Sequence, residues 1–327
     1  MDDGFKYIHN LTWGYRAART LQTAVRLGVF TKIADTSMDT QELAEKCGAN
    51  YEMLERLLIG CASLGFLERR GGRYSNTAVS RKYLVEGGPL YQGDIICHSS
   101  RGAWDAWDAL PDAILVSPAP ESPQRAHRDF IMGMDNITRG GRGGIFLDNI
   151  DLRGRELMFD IGGGPRTYSI LACGKYTKLK SVIFDIPETI KIARQVVKRE
   201  NMDERIAFRE GSWDSDDFGS GADTVLMSNI LHGKGSNAAM KLEKAYKSLK
   251  KGGLLVIQEF ILDDAKTGPI VPALFNIMVG AYALSELIEL IEKAGFTNIN
   301  VQAQDRELGS CWLTAEKPAD KNAHIIS

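Results

Sequence analysis

The spacing of apolar positions changes character near residue 156. Before it the period is mostly helical: Leu21, Val25, Leu27, Val29 and Phe30 give an apolar face up to a break at Gly28. Thr40 is expected to cap a helix that ends near Gly48, and a second helix carries Met53, Leu54, Leu57, Leu58 and Ile59. Residues 65–75 alternate around Gly71-Gly72, which predicts a β-hairpin, so residues 1–85 read as a mainly α winged-helix module. Residues 86–155 read as a helical connector punctuated by Gly87-Gly88-Pro89, Ser117–Pro120 and Gly140–Gly144. From 156 to 327 short apolar runs alternate with helical patterns. Strands are predicted at 156–161, 181–186, 206–209, 224–228, 254–260, 299–302 and 311–314, and helices at 188–200, 238–249 and 284–294. Such alternation predicts an α/β fold: a Rossmann-like, mostly parallel sheet with helices on both faces.

Composition narrows the class without naming it. In 327 residues, 44% hydrophobic and 25% charged side chains are ordinary for a folded soluble protein. Forty basic against forty-two acidic groups leave a net charge of -2, so no global field draws the chain to nucleic acid or an anionic membrane. Residues 1–90 carry 12 Lys or Arg against 10 Asp or Glu, and the second helix of the helix-turn-helix shows Glu52 and Glu55 beside Arg56, a poor surface for meeting phosphates. Long uncharged apolar runs are missing, and the opening Met1-Asp2-Asp3-Gly4 lacks a signal-peptide pattern, so a cytoplasmic location is expected. Five scattered cysteines without C-x-x-C spacing suggest neither a disulfide framework nor a metal site, and the adjacent Cys97-His98 has no partner cluster.

Candidate chemistry begins at the end of the first predicted strand. Gly162-Gly163-Gly164 stands between a strand and a helix, where an open parallel sheet takes its ligands. Asp185 closes the next strand 21 positions after Gly164, and such a carboxylate can take the two hydroxyls of a ribose. Together they point to an adenosine-containing ligand. Thr167 stands where a dinucleotide fingerprint would need glycine, and no phosphate-loop lysine is present.

These residues resemble the S-adenosylmethionine-dependent O-methyltransferases that act on small aromatic hydroxyls, over about Tyr15 to Leu313. Phe159-Asp160-Ile161-Gly162-Gly163-Gly164-Pro165 is similar to the family's cofactor loop, Phe184-Asp185-Ile186-Pro187 to its ribose motif and Gly211-Ser212-Trp213 to its adenine motif. Ser228-Asn229-Ile230-Leu231-His232 matches the stretch ending in the family's catalytic histidine, and residues 249–259 resemble its glycine-turn strand ending in glutamate. The resemblance implies S-adenosyl-L-methionine as cofactor, bound by Asp160, Gly162, Gly164, Arg166, Asp185, Ile186, Ser212, Trp213, Ser228 and Asn229. It implies His232 as general base with Glu259 orienting it, a small-molecule acceptor near Trp104, Trp107, Phe275 and Met278, no metal, and a homodimer formed through residues 1–85. Trp213 is alternatively a core aromatic, and Trp104 and Trp107 are alternatively packing residues.

Three departures from the pattern sit at the expected site. Arg166 replaces a glycine and either crowds the methionine end of the cofactor or pairs with its carboxylate. Ser212 replaces an adenine-binding aspartate, which removes a charged acceptor and is expected to weaken affinity unless Asp214 substitutes. Between Met278 and Ser285 a Gly-Gly-Arg loop is shortened and an orienting carboxylate is lost. The alternative reading is therefore a non-methylating relative that binds S-adenosylmethionine or a metabolite on the same fold.

Overall fold

The computed structural model describes residues 3–100, 103–116, 122–305, 307 and 309–319; the Ser117–Pro120 punctuation and the Met1-Asp2 start lie outside the described residues. Two compact units emerge: Asp2–Glu121 with Leu262–Ala281, and Ser122–Ile261 with Tyr282–Ser327. Among the described residues, no helix is long and apolar enough to cross a membrane and no cluster of His, Cys, Asp or Glu could hold a metal ion.

The first unit opens with α1 (Asp3–Trp13), α2 (Tyr15–Arg26), α3 (Val29–Ile33), β1 (Ser37–Met38), α4 (Thr40–Cys47) and α5 (Tyr51–Ser63), followed by β2 (Leu67–Arg70) and β3 (Arg73–Asn76). The hairpin turns at Gly71-Gly72, both left-handed, and β1 pairs antiparallel with β3. The cap of α4 differs from expectation. Asp39, not Thr40, is the N-cap: its carboxylate accepts from Glu42 N while the Glu42 side chain accepts from Asp39 N, a reciprocal box that fixes the helix start one residue earlier. Val29, Phe30, Leu43, Leu54, Leu58 and Tyr74 are buried together as this unit's core. Short helices follow, α6 (Ala78–Tyr83), α7 (Gly93–Ser100), α8 (Ala103–Asp108) and α9 (Leu110–Ile114).

The second unit begins with α10 (Pro123–Ile137), a kinked turn at Thr138–Arg142 and α11 (Gly143–Asn149). Then come β4 (Leu157–Ile161), α12 (Thr167–Lys175), β5 (Lys180–Asp185), α13 (Pro187–Arg199), β6 (Ile206–Glu210), β7 (Ala222–Ser228), α14 (Ala238–Ser248) and β8 (Leu249–Glu259). Past β9 (Ile261–Leu262) the chain contributes α15 (Ile270–Val279) to the first unit, where α15 and α2 close on α5 at Gly60. A Cβ there would come within 3.0 Å of Ile277 and 3.2 Å of Thr20. After β10 (Tyr282–Ala283), the second unit is completed by α16 (Leu284–Lys293), β11 (Thr297–Asp305) and β12 (Ser310–Glu316).

Among the described residues the large sheet has seven strands in the order β11-β12-β8-β7-β4-β5-β6, with β4 to β8 parallel and β12 antiparallel to both its neighbours. Its inner strands β4, β7 and β8 carry apolar runs because both faces are covered there, whereas the edge strands β6 and β11 are largely exposed. Phe159, Val225, Met227 and Ile257 pack toward α14 and α16, while the alternate residues Met158, Leu226 and Val256 share the opposite core with α12 and α13. The strand order reverses between β4 and β7. That switch point leaves a crevice at the carboxyl ends of the strands, the general position for a ligand in an open α/β sheet.

Candidate active site

The β4–α12 connection lies at this crevice. Gly162 has φ 65°, and a Cβ on it would meet the Trp213 ring at 2.7 Å and Ile230 at 2.9 Å, so only glycine lets the turn lie this close to the indole. Asp160 beneath the turn is fully buried, takes a 2.7 Å hydrogen bond from Ser169 Oγ, and is pushed by burial up to about 6. Asp185 binds the turn from the neighbouring strand. One of its oxygens accepts from Gly164 N at 2.9 Å and the other from Ile186 N at 2.8 Å. Burial raises this carboxyl, and the same two N–H groups pull it back down.

A cavity of about 210 Å³ opens here, lined among others by Gly162–Gly164, Asp185, Ile186, Trp213, Ser228 and Asn229. Asn229 takes a left-handed φ of 54°, and its buried Oδ1 has no hydrogen-bond partner among the described residues. An acceptor in want of a donor, beside a turn only glycine can make, is what an adenosyl amino acid carrying an ammonium group would complete. These residues fit the cofactor.

Next to the crevice, His232 Nδ1 stands 2.9 Å from Glu259 Oε1. The Glu259 side chain is fully buried and also accepts from Leu231 N at 2.9 Å and Phe260 N at 3.0 Å. Facing three donors, the carboxylate acts as acceptor, which assigns the imidazole proton to Nδ1 and leaves the Nε2 lone pair to act as a base. Burial alone would lower the His232 pKa, but the hydrogen bond and charge of Glu259 outweigh it and raise the imidazole above its ordinary value.

Several expected residues stand elsewhere than anticipated. Arg166 is fully buried at the start of α12 and is not among the residues that line the cavity; it neither crowds the ligand space nor reaches into it. The groups acting on its charge are Asp135, Arg199, Arg139 and Glu200, and none of its guanidinium nitrogens has a hydrogen-bond partner among the described residues. Burial lowers it to about 10. Ser212 also stays outside the cavity lining. Its N–H donates to Asp216 Oδ2 at 2.8 Å, so the carboxylate bound there belongs to Asp216 and not to Asp214, whose own N–H donates to Ser212 Oγ. Trp213 instead lines the cavity, its face covered by Lys241 at 4.5 Å.

The four acceptor-side residues belong to the first unit and are not gathered in one place. Trp104 is tied to α2 through a 2.9 Å bond from its indole N–H to Gln22, while Trp107 is 72% exposed. Phe275 and the 79% exposed Met278 line a separate cavity of about 490 Å³ bounded by α2, α5 and α15. Residues that the sequence left unmarked also reach the cofactor-side cavity: His127, whose Nε2 is 3.2 Å from Thr189 Oγ1, and Arg142 with Tyr168. His127 and Arg142 carried no signal, since both lie in the helical connector, where the facing of a side chain depends on the kink at 138–142.

A doubly covered parallel sheet with a glycine turn, an acidic ribose-type residue and a His–Glu pair defines a Rossmann-like α/β enzyme. Comparison with known proteins gives the family. The O-methyltransferase domain matches residues 119–297 and the O-methyltransferase dimerisation domain residues 9–86. A Streptomyces sahachiroi 3-hydroxy-5-methyl-1-naphthoate 3-O-methyltransferase is 30% identical over 89% of each chain, and the Bos taurus acetylserotonin O-methyltransferase 27% identical over 84% of this chain and 86% of that one. A Planctomyces limnophilus O-methyltransferase family 2 protein, solved in complex with apigenin, superposes with a TM-score of 0.80 at 25% identity, covering 95% of this chain and 96% of that one. The human N-acetylserotonin methyltransferase, solved with S-adenosylmethionine, gives 0.54 at 25% identity over 98% and 99%. The chain belongs to the O-methyltransferase family.

Proposed function

We propose that this protein transfers a methyl group from S-adenosylmethionine to a hydroxyl of a small aromatic or heteroaromatic molecule, with His232 as general base. As in its family, S-adenosylmethionine is the cofactor, and it supplies an electrophilic methyl group on a sulfonium. Gly162, Gly164, Asp185, Ile186, Trp213, Ser228 and Asn229 would hold it, with Asp160 and Ser169 bracing the turn from below. The observation that carries the reaction is the His232–Glu259 pair at 2.9 Å.

A phenol with a pKa near 10 is mostly protonated at neutral pH. His232 Nε2 takes its proton as the oxygen becomes the nucleophile, and buried Glu259 stabilises the resulting imidazolium through Nδ1. The remaining task of the protein is to hold the oxygen in line with the methyl group. Relatives named for a hydroxynaphthoate and acetylserotonin, and one solved with apigenin, support an aromatic acceptor. The protein works as a homodimer built through its first unit, a reading supported by the dimerisation domain matched at residues 9–86.

The test is turnover of hydroxylated naphthoates, flavones and indoles with S-adenosylmethionine by the wild type and by His232→Ala. Loss of the base should lower kcat by about 10² to 10⁴. The affinity for S-adenosylhomocysteine should stay within about twofold, because His232 is not among the residues lining the cofactor-side cavity. Equal turnover in the variant removes His232 from the mechanism.

A further inference from the structure

Asp185 and Arg142 both line the cofactor-side cavity. Asp185 stands with His127 and Thr189, joined by side-chain hydrogen bonds, and offers carboxylate oxygens. Elsewhere in the wall the Tyr168 hydroxyl is hydrogen-bonded with Thr138 and Ser228, whose own hydroxyls donate to Met134 O at 2.9 Å and Gln258 Oε1 at 2.7 Å, and Arg142 lies beside Tyr168. Arg142 is 4% exposed, lines the cavity, and holds its guanidinium 5.0 Å from the centre of the Phe260 ring. It is the guanidinium among the described residues that line this cavity, since Arg166 does not.

We propose that Arg142 binds the carboxylate at the amino-acid end of S-adenosylmethionine. The inference rests on the reading above that this cavity holds the cofactor. That molecule has two kinds of anchor point, a ribose diol that donates and a carboxylate that only accepts. Asp185 answers the first and Arg142 the second. A guanidinium suits the role because its planar fork can make two parallel bonds to a carboxylate while its face rests on an aromatic ring.

The backbone explains why this arginine and not its neighbour turns inward. Gly141 departs from helical dihedrals between α10 and α11, so the chain is kinked just before Arg142. Arg139, on the other side of the kink, is directed away to Asp135 and Glu200. Burial lowers the Arg142 guanidinium, against the pull of Tyr168, Glu259 and Asp305.

The experiment is calorimetric titration of the full-length protein with S-adenosylmethionine and with its decarboxylated form, which lacks only the carboxylate; methylthioadenosine, which lacks the whole amino-acid end, is the control. The wild type should prefer the intact cofactor by about 10- to 100-fold. Arg142→Met should erase that preference while leaving the decarboxylated ligand within about threefold, and Arg142→Lys should keep part of it. Equal wild-type affinity for the two cofactors overturns the proposal whether or not the variants fold. So does an Arg142→Met protein with an unchanged melting curve that weakens both ligands equally, because the arginine would then only support the wall. A wild type that binds none of the three ligands, methylthioadenosine included, would remove the cofactor reading itself.

Discussion

At the scale of single residues, His232 shows how a neighbour sets a catalytic group. Burial and Glu259 act on it in opposite directions, and Glu259 prevails, so the imidazole titrates above its ordinary value. Only the neutral imidazole can take a proton, so kcat/KM should fall as the pH drops through that raised value. Glu259→Gln keeps an acceptor for Nδ1 and removes the charge; the acidic limb of the pH–rate profile should then move to lower pH. An unmoved limb would show that Glu259 does not tune His232. Arg166 poses the opposite case, a residue in the wrong backbone region for its type. Its φ of 58° is left-handed, which costs a side chain about 1 to 2 kcal/mol relative to glycine, and its buried guanidinium adds to the cost. Arg166→Gly should raise the thermal midpoint of the α/β unit, and Arg166→Ala should trail it by about 1 kcal/mol because the Cβ strain remains. Midpoints below wild type in both variants would mean that the Arg166 side chain contributes packing that outweighs strain and charge. The sequence marks Arg166 as a departure but hides its direction, since a left-handed residue before α12 aims the side chain away from the cavity that its position suggests.

Elements were legible where periodicity is long and less so where a start depends on one hydrogen bond. The inner strands are apolar enough to be read because the sheet is covered on both faces there; β8 begins earlier, at Leu249 rather than Leu254, and the exposed edge strand β11 runs over Thr297–Asp305 rather than 299–302. The start of α4 illustrates the harder kind. Asp39 and Thr40 are both capping residues, and Glu42, three positions after Asp39, is the feature in the sequence that decides between them. Asp39→Ala should cost the first unit about 1 kcal/mol, read as a lower denaturant midpoint with unchanged slope, whereas Thr40→Ala should not remove the cap. Equal effects of the two would return the cap to Thr40. The glycine turn is an element of the same sort, held by side chains as much as by its own glycines. Because Asp185 binds Gly164 N and Ile186 N, Asp185→Ala should both loosen the turn and remove a ribose partner. Cofactor affinity should drop tenfold or more, about 1.5 to 3 kcal/mol, in the same calorimetric titration. Affinity within twofold of wild type would show that Asp185 serves only the loop. The Ser212 turn could not be read in this way, because the carboxylate that binds its N–H lies four residues further on.

At the scale of the molecule, the division into two units is not a division of the sequence. Residues 262–281 leave the α/β unit to complete the first one, and neither composition nor punctuation marks that excursion, whose reason is the close approach at Gly60 of α5. The first unit also carries a surface that its own core does not use. Phe5, His9 and Trp13 form an aromatic row along one face of α1, continued by Phe275 of α15. Tyr7, Ile8 and Leu11 fall on the opposite face and are 66%, 64% and 65% exposed. Three large apolar side chains on one helical face, within a unit that matches a dimerisation domain, form a patch suited to a second copy of the chain. Ile8→Asp with Leu11→Asp places two charges on that face without touching the aromatic row. Sedimentation velocity at micromolar concentration should show the wild type as a dimer and the double variant as a monomer. Affinity for S-adenosylhomocysteine should survive in the variant, since the residues that would hold it all belong to the α/β unit. A double variant that still sediments as a dimer would move the interface away from α1.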